Sequence, residues 1–450
     1  MIYYYIRKFS IVQRFIYITS CNGGVEGCRI DLPDMVLNMK NMKKEFDTML
    51  KARLNGRETL GLKFNPFKIR SLDQESLIKI FVNRKNEVKN LLGVPELSRN
   101  ALIYGHYGIG KTALLRYVLY GLTKTSVQNI SAIYTTFTGT SEIDFINTIG
   151  LAVSDLFKDE NNDAKEMYKK IKGTEISKKS EVSTEAGVKF IVQGGGKYAR
   201  AKEVTDKSTL NPAYIKNTTR EILKKMAKKY DGIVIGVDEV DKMNPRDFNK
   251  FVANVRDILD FEGSFIFTGS YSFLTLAGNI TSTQYGAFDI KVRIPDMSIN
   301  DLVLLARKYC TFAGNNKCFD KEVLIKLAEQ SFGIPRAMVV LCGGAIESAT
   351  KLGISIINEE NLENIVIDIG KVIYDSLTPT QIKVVKYISE KGGELNKVNK
   401  EMQNKLGMAR TTIYTHLSSL MNKDAVFEKA INGDRVWKLN TGLNAHINRI

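Results

Sequence analysis

The chain has 450 residues, enough for two or three domains with separate cores. Its 65 Lys and Arg against 49 Asp and Glu give a formal net charge of +16, which favours polyanionic partners such as nucleic acid. Five scattered cysteines, Cys21, Cys28, Cys310, Cys318 and Cys342, lack the paired spacing of a zinc site and the density of a disulfide scaffold. They read as reduced thiols of a cytoplasmic protein.

Residues 1–19 are apolar and aromatic, but Arg7, Lys8, Gln13 and Arg14 interrupt them well before a membrane span is complete. They also lack the charged, apolar and small-residue order of a signal peptide. The change in composition near Met42 suggests that residues 1 to about 40 do not belong to the functional chain. Residues 51–70, with Asn65, Pro66 and Phe67, read as an extended arm. A helix follows within 81–92, with Asn83 as its N-cap and Val88, Leu91 and Leu92 facing inward. In nucleotide-binding folds of this order, such a segment lies beside the adenine.

The most informative stretch begins at Ala101. A short apolar strand leads into Gly105, His106, Tyr107, Gly108, Ile109, Gly110, Lys111 and Thr112, and a helical apolar pattern continues through Leu114, Val118 and Leu119. This is the complete pattern G-x-x-x-x-G-K-[ST] in its strand–turn–helix context. The glycines let successive N–H groups point at a phosphate chain, which meets the positive end of the following helix. Lys111 would reach the β- and γ-phosphates of ATP, and Thr112 would coordinate Mg2+.

Strand and helix then alternate to residue 157, as expected of a parallel sheet covered on both faces. A charged insertion, 158–211, follows, with a glycine triplet at 194–196 between two alternating runs. It reads as a β-hairpin. A helix at 212–229 leads to an apolar strand ending in Asp238 and Glu239, at the strand end where such sheets bind ligands. Asp238 is placed to hold the Mg2+ shell and Glu239 to orient a water. A helix at 248–259 and a strand at 264–270 come next. Thr268, or alternatively Ser270, could bond the γ-phosphate or the water. After a last strand at 288–294 come three amphipathic helices, 300–311, 321–330 and 335–352. Arg336 sits in the first turn of the third, where the helix dipole disfavours a cation unless an anion lies nearby.

Residues 377–442 form a second pattern: three short helices and two alternating strands that meet at Asn432 and Gly433, a tight-turn pair. This is the layout of a winged helix. Its third helix turns Ile413, Leu417 and Leu420 inward and Thr411, Thr415 and Ser418 outward, with Tyr414 flanking. Arg410, Lys429, Arg435 and Lys438 could meet the phosphates of double-stranded DNA. Winged helices also serve as protein-interaction modules.

Taken together, the glycine turn, Asp238 and Glu239, Thr268, and Gly333-Ile-Pro-Arg336 in that order resemble the AAA+ ATPases, and within them the archaeal replication initiators of the origin-recognition type. The likeness covers roughly residues 75–450. It implies an α/β P-loop ATPase core at 75–298, a helical lid at 299–376 and a winged helix at 377–450, behind an N-terminal extension at 1–74. It further implies slow ATP hydrolysis, contact of Arg336 with the γ-phosphate, binding to DNA, and self-association away from any membrane. The place before the last strand, 282–288, lacks the arginine that AAA+ subunits lend a neighbour. The Gly-Ile-Pro core equally resembles archaeal STAND-type ATPases, nucleotide switches that serve transcription or defence.

Overall fold

The computed structural model describes residues 58–68, 73–95, 99–176, 198–200, 211–242, 263–270, 288–431 and 434–450. The expectations for residues 1–57, the glycine triplet, the run at 182–193, the helix at 248–259, the stretch 282–287 and the turn pair Asn432 and Gly433 lie outside these.

Two helices, α1 (Gln74–Ile80) and α2 (Lys85–Leu92), precede the core. Asn83 does not cap α2: it has φ +56° and Arg84 φ +73°, and Arg84 is the capping residue. The amide of Asn83 instead donates to Asp301 at 2.8 Å, which draws the helix start one residue onward. Leu91 is buried, whereas Leu92 is exposed.

The core then runs β1 (Ala101–Gly105), α3 (Lys111–Lys124), β2 (Ile130–Thr136), α4 (Glu142–Phe157), α5 (Asn162–Ile176), β3 (Tyr198–Arg200), α6 (Pro212–Met226), β4 (Gly232–Asp238), β5 (Ser264–Ser270) and β6 (Ile290–Arg293). The strands form one parallel sheet in the order β3-β2-β4-β5-β1-β6. All but one residue of each of β2, β4 and β5 are buried, as expected where helices cover both faces. On one face Leu115 and Leu119 of α3 pack with Ile103, Val234 and Ile266. On the other, Phe145 and Ile149 of α4 and Ile222 of α6 pack with Ile133, Ile235 and Phe267. A capping box between Ser141 and Asp144 starts α4, and Asn211 with Pro212 starts α6.

The charged insertion contributes a helix that the sequence reading did not anticipate. Its first part is α5, because Ala164, Met167 and Ile171 recur at helical spacing and bury against the second face beneath a lysine-rich exterior. Its described strand, β3, extends the sheet parallel to β2.

Four helices follow, α7 (Ile299–Phe312), α8 (Lys321–Gln330), α9 (Pro335–Leu352) and α10 (Glu359–Asp375). The fourth adds to the three read from sequence; a capping box at Asn358 and Asn361 starts it. The segment read as an arm packs beneath them, with Leu60 fully buried and Phe67 stacked on Tyr309 at 5.0 Å. The C-terminal part comprises α11 (Pro379–Glu390), β7 (Glu394–Leu395), α12 (Lys400–Leu406), α13 (Arg410–Asn422), β8 (Val426–Ile431), β9 (Asp434–Leu439) and α14 (Thr441–Ile447), with an antiparallel sheet ordered β7-β9-β8. This is a winged helix with an added terminal helix.

Lid and winged helix share one hydrophobic core, which runs from Leu302 and Leu341 through Ile365 to Val385, Leu417 and Leu443. Helices α10 and α14 touch backbone to backbone: a Cβ on Gly370 would stand 1.9 Å from the Gly442 carbonyl oxygen, and one on Gly442 2.5 Å from that of Val366. Cys310, Cys318 and Cys342 are free thiols inside this core. Among the described residues no helix is long and apolar enough to cross a membrane.

Candidate nucleotide-binding site

Strand β1 lies between β5 and β6, while β4 lies on the far side of β5. The glycine turn after β1, Thr268 on β5 and Asp238 at the end of β4 therefore open side by side at the C-terminal edge of the sheet, where the strand order reverses. In the turn, Gly108 and Gly110 have φ of +78° and +102°, values that suit glycine. Ile109 is fully buried and anchors the turn to the core.

Lys111 opens α3, and its ammonium donates to the carbonyls of Gly105 at 3.0 Å and His106 at 2.9 Å. Burial pushes this ammonium's pKa down, and Asp241, Asp238, Glu428 and Glu239 oppose the shift. A buried cation satisfied by carbonyls stands to gain from an arriving anion.

A cavity of about 1020 Å³ connects these groups. It is lined by Gly108, Ile109, Gly110, Lys111, Thr112, Asp238, Glu239, Thr268 and Arg336, so all the expected nucleotide-site residues meet in one place except Gly105, which stands behind as an acceptor for Lys111. The lining also includes an apolar set, Leu77, Ile80, Phe81, Val82 and Tyr309, suited to the flat face of a base. A triphosphate fits this combination of glycine cradle, buried ammonium and apolar slot. Thr112 and Asp238 are the groups that would hold Mg2+, which keeps most of its waters and needs only one or two protein oxygens beside the phosphates.

Asp238 is 3% exposed. Its Oδ2 accepts from Tyr134 Oη at 2.8 Å, and its Oδ1 accepts from Thr268 Oγ1 and from the Glu239 N–H at 3.1 Å. Glu239 has φ +62°, a conformation that costs a residue with a side chain about 1 kcal/mol. The bonds from its N–H to Asp238 and to Thr268, the latter at 3.0 Å, hold it there. Its carboxylate pairs with Lys242 at 2.6 Å. Ser270 instead donates its backbone N–H to Asp241 at 2.9 Å.

Arg336 reaches the cavity from the lid. Its N–H donates to the Gly108 carbonyl at 3.2 Å, and a Cβ on Gly108 would stand 2.7 Å from its own. The guanidinium lies over Tyr107 at 4.8 Å, and its Nε donates to Asp424 of the winged helix at 2.6 Å. Burial works against its charge, but the Asp424 bond and the charge of Asp424 and Tyr107 outweigh that, so the guanidinium pKa is raised.

Several residues of this site carry no local signal in the sequence. Arg84 bonds the carbonyls of Pro295 at 2.7 Å and Ile109 at 3.4 Å and lines the cavity. Tyr134, Asp241 and Asp424 take their roles only from neighbours distant in sequence, although Asp241 stands in the same acidic run as Asp238.

In the winged helix, Arg410, Thr411, Thr415 and Ser418 are exposed along one face of α13, while Ile413, Leu417 and Leu420 are buried. Tyr414 is half-buried against Trp437, and Arg410 donates to its hydroxyl at 3.3 Å. The expected wing cations are engaged within the chain. Lys429 pairs with Asp296 at 2.9 Å and donates to the Phe332 carbonyl at 3.2 Å, because Phe427, two residues back on the same strand face, buries against Ile334 and Ala337 of the lid. Lys438 pairs with Glu394 at 2.9 Å and covers the Phe332 ring, and Arg435 pairs with Glu428 at 3.1 Å. Ser418 and Asn422, at the far end of α13, line the nucleotide cavity.

No family model matches the chain. An uncharacterised HTH-type transcriptional regulator of Methanocaldococcus jannaschii is 23% identical over 414 residues, spanning 85% of this chain and 92% of that protein. Among solved structures, the Aeropyrum pernix ORC1 protein in complex with DNA aligns over 84% of this chain and 95% of that one, at 16% identity and a TM-score of 0.47. The ORC2 protein of the same organism, in ADPNP and ADP complexes, aligns over 85% and 96% at 11% identity and 0.46. The Holliday junction branch migration motor RuvB of Thermotoga maritima aligns over 82% and 95% at 14% identity and 0.41. The assignment of a P-loop sheet followed by a winged helix rests on the strand order and the glycine turn.

Proposed function

We propose that this chain is an ATP-binding, slowly hydrolysing AAA+ type protein whose nucleotide state governs DNA binding by its winged helix. The observation that carries the reading is the shared cavity: Lys111, Asp238 and Glu239 of the core, Arg336 of the lid, and Ser418 and Asn422 of the DNA-facing helix line one space. Lys111 and the turn N–H groups would bind the phosphates, and Glu239, once released from Lys242, would orient the attacking water. Bound Mg2+ would neutralise the phosphate oxygens. Thr268 holds Glu239 and Asp238 in register, and Arg336 would exchange Asp424 for the γ-phosphate. Arg410, Thr411 and Thr415 would face the duplex.

Among host processes, origin recognition follows from the motif order. Transcriptional control is the second reading, favoured by the name of the Methanocaldococcus relative. Equilibrium DNA binding with ATP, ADP and a slowly hydrolysed analogue tests the proposal. Affinity should differ between triphosphate and diphosphate states and lose that difference in Lys111→Ala; identical affinities in all states would refute the coupling. Footprinting on genomic DNA then separates an origin from promoters.

A further inference from the structure

We propose that Tyr134 is a positioning residue for Asp238: its phenol fixes the second carboxylate oxygen so that the group meets a nucleotide-bound divalent cation without rearranging. This rests on the nucleotide reading above.

Strand β2 lies beside β4, with Thr136 opposite Asp238 and Tyr134 opposite Gly236. Tyr134 and Thr136 share a face of β2, so the tyrosine starts about 6.6 Å below the level of Asp238, two strand residues. Its ring bridges that interval and brings Oη to 2.8 Å from Oδ2. Thr136 Oγ1 donates to the same phenol at 3.2 Å, which leaves the phenolic proton directed at Asp238. Oδ1 is held from the other side by Thr268 and the Glu239 N–H. Each carboxylate oxygen is thus gripped by a neighbouring strand, and Oδ2, with one donor among the described residues, keeps a lone pair for a metal-bound water.

The ring itself is held. Tyr134 is 3% exposed, and the Arg116 guanidinium lies 5.9 Å from its centroid. Arg116 stands one helical turn after Thr112 on α3, and Gln74 of α1 both donates to its carbonyl at 2.9 Å and accepts from its guanidinium at 3.4 Å. A phenylalanine would fill the same volume. A buried hydroxyl costs free energy unless it is hydrogen-bonded, so its purpose lies in the bond it makes.

The test compares Tyr134→Phe and Thr136→Val with the parent chain. A fluorescent ATP analogue is titrated in EDTA and in graded Mn2+, and Mn2+ bound to the complex is counted by electron paramagnetic resonance. Tyr134→Phe should leave affinity in EDTA within about twofold and weaken Mn2+ binding to the complex about tenfold, the worth of a hydrogen bond to a charged acceptor. Thr136→Val, which keeps the buried ring, should shift Mn2+ binding the same way by less, and it decides the matter if Tyr134→Phe folds poorly. Unchanged Mn2+ affinity would overturn the proposal. So would an equal loss with and without metal, which marks a packing role. A parent chain that binds no nucleotide in either condition would overturn the nucleotide reading itself, a result distinct from both.

Discussion

Asp238 and Arg336 line the same cavity and are held in opposite ways. Asp238 sits at 3% exposure between neutral donors from two adjoining strands, with no ion pair among the described residues to break before a cation arrives. Arg336, with a side chain 39% exposed, is held by a carboxylate that belongs to the winged helix. The first arrangement is preorganised: its partners sit on neighbouring strands of the sheet and gain nothing by moving. The second is exchangeable, because a half-exposed ion pair is worth about 1 kcal/mol or less and a phosphate offers the same guanidinium more charge. The proposed chemistry thus falls to the rigid sheet, and the proposed responsiveness to the contact between lid and winged helix.

The sharpest way to break this contrast is Glu239→Gln. It keeps the strand-end geometry and removes the carboxylate, so ATP turnover should fall at least about a hundredfold while nucleotide binding persists, measured as phosphate release against equilibrium titration. Turnover at the parent rate would show that hydrolysis, if present, uses another group. Next in size is the proposed DNA face. Arg410→Ala should weaken DNA binding about tenfold and reduce the slope of log K against log salt by about 1, whereas Lys438→Ala, already engaged by Glu394 and Phe332, should leave the slope unchanged. Equal slopes for both would mean that the wing lets go of the lid before it meets DNA.

Asp424→Asn sharpens the exchangeable side. With its partner neutral, Arg336 should take a triphosphate about threefold more tightly, and DNA binding should depend less on which nucleotide is present. Affinity unaltered in both assays would mean that Arg336 and the phosphate never compete. The smallest effect falls on the rigid side. Asp73 caps α1 through the Ser76 N–H at 2.7 Å, and that bond, against some loss of hydration, lowers its carboxyl below the usual 3.8. Asp73→Ala should cost about 1 kcal/mol in chemical denaturation at neutral pH. A lowered folded pKa gives stability that is present above the unfolded value and lost as the pH falls through the folded one. The gap between variant and parent should therefore close below about pH 3.8.

The two halves of this contrast differ in legibility. Lys111, Thr112, Asp238 and Glu239 announce themselves because a glycine turn and a strand end are local backbone events, complete within a few residues. Tyr134 reaches Asp238 only through strand register 104 residues away, and Asp424 reaches Arg336 across 88. Nothing in either neighbourhood marks them. The helical stripe of α5 was hidden by its lysines, and the wing lysines, read as outward, turn inward because Phe427 commits its strand face to the lid. Propensity and period identify elements; which face meets which partner is settled by burial summed over the whole chain.

The contact of Gly370 with Gly442 sets how any response can travel. Two helices meshed carbonyl against glycine have no room to slide past one another, so α14 cannot shift without taking α10 with it. Were a nucleotide at the proposed site to move the lid, the winged helix would move with it, because the two share one hydrophobic core. Placing even one methyl group at either glycine would drive the two helices apart.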